Sequence, residues 1–194
     1  MTRGRLEAFS DGVIAIILTI MVLELRPPHG STLADLAPLL PKFLSYILSF
    51  IFIAIYWNNH HHLLHAVQRV NGRVLWTNLH LLFWLSLIPF VTAWMGENGA
   101  APLPVAVYGV VLLLSGSAYF MLTRALLAIH PPDSALAVAL GADWKGKLSV
   151  VVYAVAVPLA FTSRLGAITL YVAIAVVWLI PDLRFERVLE REQH

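Results

Sequence analysis

Residues 5 to 23 read Arg5-Leu6-Glu7-Ala8-Phe9-Ser10-Asp11-Gly12, then Val13-Ile14-Ala15-Ile16-Ile17-Leu18-Thr19-Ile20-Met21-Val22-Leu23, without a proline. The second half of this stretch is apolar. The first half sets a guanidinium, two carboxylates and a hydroxyl at the mouth of what reads as a membrane-length helix. Ionisable groups are expensive at that depth, so they call for partners or for a water-filled path to serve.

The rest of the chain agrees with a bilayer setting. Hydrophobic residues make up 59% of the 194 residues, charged residues 12%, and the mean hydropathy is +0.78. A soluble globule of this composition would leave far too much apolar surface in water, so the chain reads as an all-α polytopic membrane protein. A net charge of +2 is too small to point to nucleic acid, and the basic residues form no block that could follow a phosphate backbone. Cysteine is absent, which excludes disulfides and thiolate metal sites. The first apolar run carries Glu24 and Arg26 where a signal peptide would have its small-residue cleavage site, so it is expected to be a retained helix.

A span needs about 20 apolar residues, and breakers divide the chain into six, residues 6–25, 43–64, 74–95, 105–129, 148–161 and 165–180. Pro27-Pro28, Pro41-Lys42, Asn71-Gly72-Arg73, Gly96, Pro131-Pro132 and Thr162-Ser163-Arg164 mark the divisions. The whole chain, 1–194, is thus expected to be a single six-helix domain. A tail from Pro181 mixes apolar Leu183, Phe185, Val188 and Leu189 with charges and reads as a short interfacial helix. No second copy of the first-helix motif occurs near the fourth span, so one repeat unit is present.

Orientation follows from the basic residues. Arg3, Arg5, Arg69, Arg73, Arg124, Lys145, Lys147, Arg184, Arg187 and Arg191 fall on one side of the six spans, and only Arg26, Lys42 and Arg164 on the other. The positive-inside bias places both termini in the cytoplasm, and an odd number of spans would spoil the asymmetry. The expected location is the inner (plasma) membrane. Tyr46, Trp76, Trp94, Trp144 and Trp178 lie near span ends, where an aromatic belt belongs.

At 100° per residue, Ile16, Thr19 or Ile20, and Leu23 share one stripe of the first helix, and the stripe extends back to Gly12 and Phe9. Facing lipid, it would need no explanation. Facing copies of itself, it would enclose a narrow apolar tube with one ring of hydroxyls, and such a constriction can gate by dewetting. The residues alone leave both readings open.

The string Arg5-x-x-x-Phe9-Ser10-Asp11 at the start of the first helix resembles the signature of the endolysosomal potassium channel family and its bacterial single-repeat relatives. The sharp part of the resemblance lies in Arg5 to Asp11 and Trp57 to His62; elsewhere it is a likeness of layout. It implies that the first helix lines the pore, that Ile16, Ile20 and Leu23 form the constriction, and that Thr19 is the selectivity element. It also implies a homotetramer, because one pore-lining helix cannot enclose a channel and single-repeat relatives form tetramers. Potassium would be the permeant ion, favoured only weakly over sodium, since apolar rings and hydroxyls do not replace a whole hydration shell. Glu24, one residue past Leu23, would concentrate cations at the entrance, or else pair with Arg26 or Lys42 at an ordinary helix end.

Partners for the first-helix polar groups stand on the next two spans. Trp57-Asn58-Asn59-His60-His61-His62 closes the second span, and Asn78 and His80 open the third, all at a depth similar to Asp11. Hydrogen bonds among such groups lower the cost of a buried carboxylate and fix helix register. The family motif is likewise described as bonding to histidine, tryptophan and asparagine on the two following helices. The resemblance therefore assigns Arg5, Phe9, Ser10, Asp11, Trp57, Asn58, His61, Asn78 and His80 a structural and gating role. Snorkelling to cytoplasmic water is the plainer reading for Arg5 and Glu7.

Other chemistries find less support. His61 with His65, and His62 with His65, have the spacing for two imidazoles to meet one ion. Only one such box occurs, so the histidines read as interfacial donors or proton-sensitive groups, with no metal and no cofactor expected beyond permeant K+. Val107-Tyr108-Gly109-Val110 looks like a filter fragment but falls within the fourth span, where its carbonyls are used in the helix. Ser86, Pro89 and Thr92 read as a kink with local hydroxyl repair. The alternative function is a secondary transporter of a small cation or solute, but the acids sit near span ends rather than at a midplane site. No nucleophile and base can be paired, so an enzyme is not expected.

Overall fold

A computed structural model describes residues 2–140 and 143–180, and the expected interfacial helix after Pro181 lies outside them. The elements are α1 (Arg3–Leu23), α2 (Leu33–Leu36) running through a 3-10 turn (Ala37–Leu39) into α3 (Leu40–His65), α4 (Gly72–Ser86), α5 (Ile88–Glu97), α6 (Pro102–Leu127), α7 (Ala135–Leu140), α8 (Trp144–Thr162) and α9 (Arg164–Leu179). No strand occurs among the described residues. Five helical stretches are long and apolar enough to cross a membrane: α1, α2 with α3, α4 with α5, α6 and α8. The sixth expected span coincides with α9, an apolar helix of 16 residues.

Local chemistry sets the ends. Asn71 caps α4 by accepting from the Val74 amide at 3.0 Å. Asp143 caps α8 by accepting from Gly146 at 3.2 Å, and it holds φ at +43°, a left-handed value that Asp tolerates better than most residues. Burial pushes the Asp143 carboxyl above the ordinary carboxylate range. The stretch expected as one span over 74–95 is interrupted at Leu87, between α4 and α5. Pro89 lacks an N–H and crowds the carbonyl a turn earlier, which breaks the ladder there. Neighbouring hydroxyls bond the carbonyls in this region, Ser86 Oγ donating to Phe83 O at 2.7 Å and Thr92 Oγ1 to Ile88 O at 2.6 Å.

The core is built around α6. Tyr108 of α6, Tyr153 of α8 and Tyr171 of α9 bury their rings together, with centroids 5.7 and 6.2 Å apart along the chain of contacts, and Phe52 of α3 meets Tyr153 at 6.3 Å. Buried phenols need partners. Tyr171 donates to Val105 O at 3.2 Å, and the Tyr108 hydroxyl lies 3.0 Å from Ser49 Oγ, which in turn meets Thr92 Oγ1 at 2.7 Å. Tyr108 and Gly109, the filter-like fragment, are thus packing residues inside a continuous helix. A side chain added at Gly109 would collide with the Tyr171 hydroxyl, so this glycine lets α9 approach α6. Lys42 at the start of α3 bonds Glu97 at the end of α5 at 3.0 Å and ties those two ends together.

Helix α1 stands at the margin of this body, packed on α3, α4 and α5 through one face only. That face is Leu6, Ser10, Ile14, Ile17 and Met21, all buried, with the spacing of three and four that one stripe of a helix requires.

Candidate functional site

The opposite face of α1 carries Phe9, Gly12, Ile16, Thr19, Ile20 and Leu23, all exposed. Ile16 is 58% and Leu23 77% accessible, and nothing lies within 4 Å of where a Gly12 side chain would begin. Among the described residues this apolar ridge is left uncovered, about 10 Å from Ile16 to Leu23 at the helical rise. Its one hydroxyl is Thr19. That hydroxyl donates to Ile16 O at 2.8 Å, so its proton is committed to the helix and its oxygen lone pairs are left for a cation or an outside donor. Glu24 is exposed beyond the ridge and makes no ion pair among the described residues, and Lys42, one of its two expected partners, is bonded to Glu97.

Behind the ridge, the N-terminal half of α1 is fastened by a polar junction. Ser10 is buried; its Oγ donates to Leu6 O at 2.8 Å and accepts from Asn78 Nδ2 of α4 at 3.0 Å. Asn78 Oδ1 meets His60 Nε2 of α3 at 2.7 Å, so three helices share one buried chain of hydrogen bonds. One turn along, Trp57 Nε1 donates to Asp11 Oδ1 at 3.0 Å. Towards the helix start, Glu7 lies 3.2 Å from His61 Nδ1 and 3.9 Å from Arg3 Nε, and Arg3 also donates to the His65 and Val67 carbonyls at 3.0 and 3.3 Å. Every link joins α1 to α3 or α4 or feeds one that does, and hydrogen bonds of this kind fix helix register in a way apolar contacts do not; the Nδ1 atoms of His60 and His61 are the buried junction groups that make no hydrogen bond among the described residues.

The structure thus brings together Ser10, Asp11, Trp57, His61 and Asn78 from the expected set. Arg5 is exposed and forms no hydrogen bond or ion pair among the described residues. Asn58 is exposed and makes no side-chain hydrogen bond among the described residues. His80 is exposed and accepts from Trp84 Nε1 one turn along α4 at 2.8 Å, on a face that does not reach α1. The buried histidine of the junction is His60, and the arginine beside Glu7 is Arg3. His60 carried a legible signal. The buried stripe Ser49, Phe52, Ile53 continues two turns on at residue 60, whereas Asn58 falls on the other side of the helix. The Ser49, Thr92 and Tyr108 hydroxyl cluster gave no such signal, because its members come from three helices.

Residues 5–89 match the family described as the endosomal/lysosomal potassium channel TMEM175. A potassium channel from Chryseobacterium sp. (strain P1-3) is 50% identical over 190 residues, 98% of this chain and 99% of that one. A potassium channel from Streptomyces collinus is 34% identical over 124 residues, 60% of each chain. The crystal structure of a lysosomal potassium-selective channel TMEM175 homologue from Chamaesiphon minutus superposes with a TM-score of 0.78 at 28% identity, covering 92% of this chain and 96% of that one.

Proposed function

The chain belongs to the TMEM175 potassium channel family, and from that premise we propose that it conducts potassium through a central pore lined by α1. It is a membrane channel and not an enzyme, as its relatives are. Four protomers around a symmetry axis would bring four copies of the α1 ridge together, Ile16, Ile20 and Leu23 closing an apolar throat and Thr19 supplying the ring of oxygens. Glu24 would stand at the outer entrance. The observation that carries this reading is the two-sided character of α1: one face is bolted to its own protomer by Ser10, Asp11 and the junction, the other is a bare apolar ridge.

In this arrangement the chain crosses the inner membrane six times with both termini in the cytoplasm, as the ten-to-three distribution of Lys and Arg favours. The junction then sits at the cytoplasmic end of the pore helix, where it sets the angle at which the ridge meets the axis. Selectivity is modest, since Thr19 hydroxyls replace part of a hydration shell and not all of it. Purified protein in liposomes is expected to give a reversal potential displaced from zero towards the potassium equilibrium, and short of it, under a K+ against Na+ gradient. Uptake that saturates and requires a proton gradient would instead identify a transporter.

A further inference from the structure

Glu7 and Asp11 of α1 and His61 of α3 each offer one ligand atom, and the three atoms lie within 4.8 Å of one another. We propose that these three residues form a regulatory site for a divalent transition-metal ion of the Zn2+ class, which staples the pore-lining helix to α3 from the cytoplasmic side.

Three features of the cluster support it. His61 Nδ1 is buried and makes no well-formed hydrogen bond, although it lies 3.2 Å from Glu7 Oε1. A buried polar nitrogen left in this way is the group a bound ion would satisfy. Three ligands on one tetrahedral Zn2+ stand about 3.3 Å apart, from bond lengths of about 2.0 Å, so Glu7 and His61 already have the separation and Asp11 closes by side-chain rotation. The ligands are also held from outside. Trp57 Nε1 bonds Asp11 Oδ1 and leaves the other oxygen, Arg3 faces Glu7 Oε2, and the His61 ring is stacked between Trp57 at 5.9 Å and His65 at 6.2 Å. Outer partners of this kind orient ligands at metal sites.

The donor set selects the ion. One imidazole and two carboxylates suit Zn2+, Co2+ or Ni2+ better than Ca2+ or Mg2+, which prefer oxygen alone, or Cu+, which prefers sulfur. The ligand set differs from the His61 and His65 pair that sequence spacing offers, because those rings stack face to face on α3 while the carboxylates come from α1. Its consequence for conduction rests on the pore reading above; the binding itself does not.

The full chain, purified and stripped with chelator, is titrated with Co2+ as a spectroscopic probe and with Zn2+ in competition. One ion per protomer is expected, with ligand-field bands of a low-coordinate N/O site, and His61→Ala or Glu7→Gln weakens binding at least tenfold. His80→Ala, whose ring lies on another face, leaves it unchanged. Both variants are checked for retention of the wild-type elution volume, and His61→Gln stands in should His61→Ala aggregate. In liposomes, Zn2+ on the cytoplasmic side slows K+ flux of the wild type and not of His61→Ala. Binding in the absence of any flux sustains the site while removing the channel reading. Flux that ignores Zn2+, together with Co2+ titrations identical in wild type, His61→Ala and Glu7→Gln, overturns the site and leaves the channel standing.

Discussion

Thr19 is one hydroxyl on an otherwise apolar face, and the direction of its hydrogen bond decides what it can do. Because its proton goes to Ile16 O, the oxygen is presented outward as an acceptor. Thr19→Val keeps the shape and removes that acceptor, so the K+ to Na+ permeability ratio should fall by roughly threefold or more, read as a reversal potential moving towards zero. Thr19→Ser should retain the ratio. Asn78 works differently, since it joins Ser10 to His60 with no exposure at all. Asn78→Ala strands a buried imidazole and takes a donor from the Ser10 hydroxyl, which keeps its bond to Leu6 O, and a loss of about 1–2 kcal/mol in stability is expected from thermal or denaturant unfolding of the detergent-solubilised protein. Much of this was legible from residues alone. Ser10, Asp11, Trp57 and Asn78 were singled out by being polar at membrane depth. Arg5, Asn58 and His80 were singled out by the same property and prove to be exposed, because type and depth do not fix the angle around a helix.

Among the elements, α6 is the one around which the others close, and its approach to α9 depends on Gly109. A methyl group there would meet the Tyr171 hydroxyl and would stand 2.8 Å from its Cζ. Gly109→Ala should therefore destabilise the protein by about 1–3 kcal/mol through overpacking. Removing the hydroxyl with Tyr171→Phe should recover part of that loss in the double variant, because the ring carbon still crowds the site; a double-mutant cycle measures the coupling. Span positions follow from runs of apolar residues, which is why each expected span coincides with helix. The division of α4 from α5 followed from Pro89, whereas the buried rings of Tyr108, Tyr153 and Tyr171 could not be paired from sequence, since their contacts join helices many residues apart. α1 is the exception among the longer helices. Its inner face alternates with its outer one so regularly that the sequence exposed the ridge, while leaving open whether lipid or a pore covers it.

The described residues form a helical body whose marginal helix α1 carries an exposed apolar ridge, and the proposed pore gives that ridge a use. Its central claim is that copies of α1 meet at an axis along which ions pass. The chain has no cysteine, so single cysteines can be introduced without background. The most direct measurement is the effect of a cationic, membrane-impermeant thiol reagent on K+ current through Thr19→Cys and Leu23→Cys, with Val151→Cys on the exposed face of α8 as comparison. The account predicts that modification at residues 19 and 23 blocks the current while residue 151 is indifferent. Full current after labelling at residue 23, or a residue 19 thiol that the reagent never reaches in the conducting protein, would contradict it.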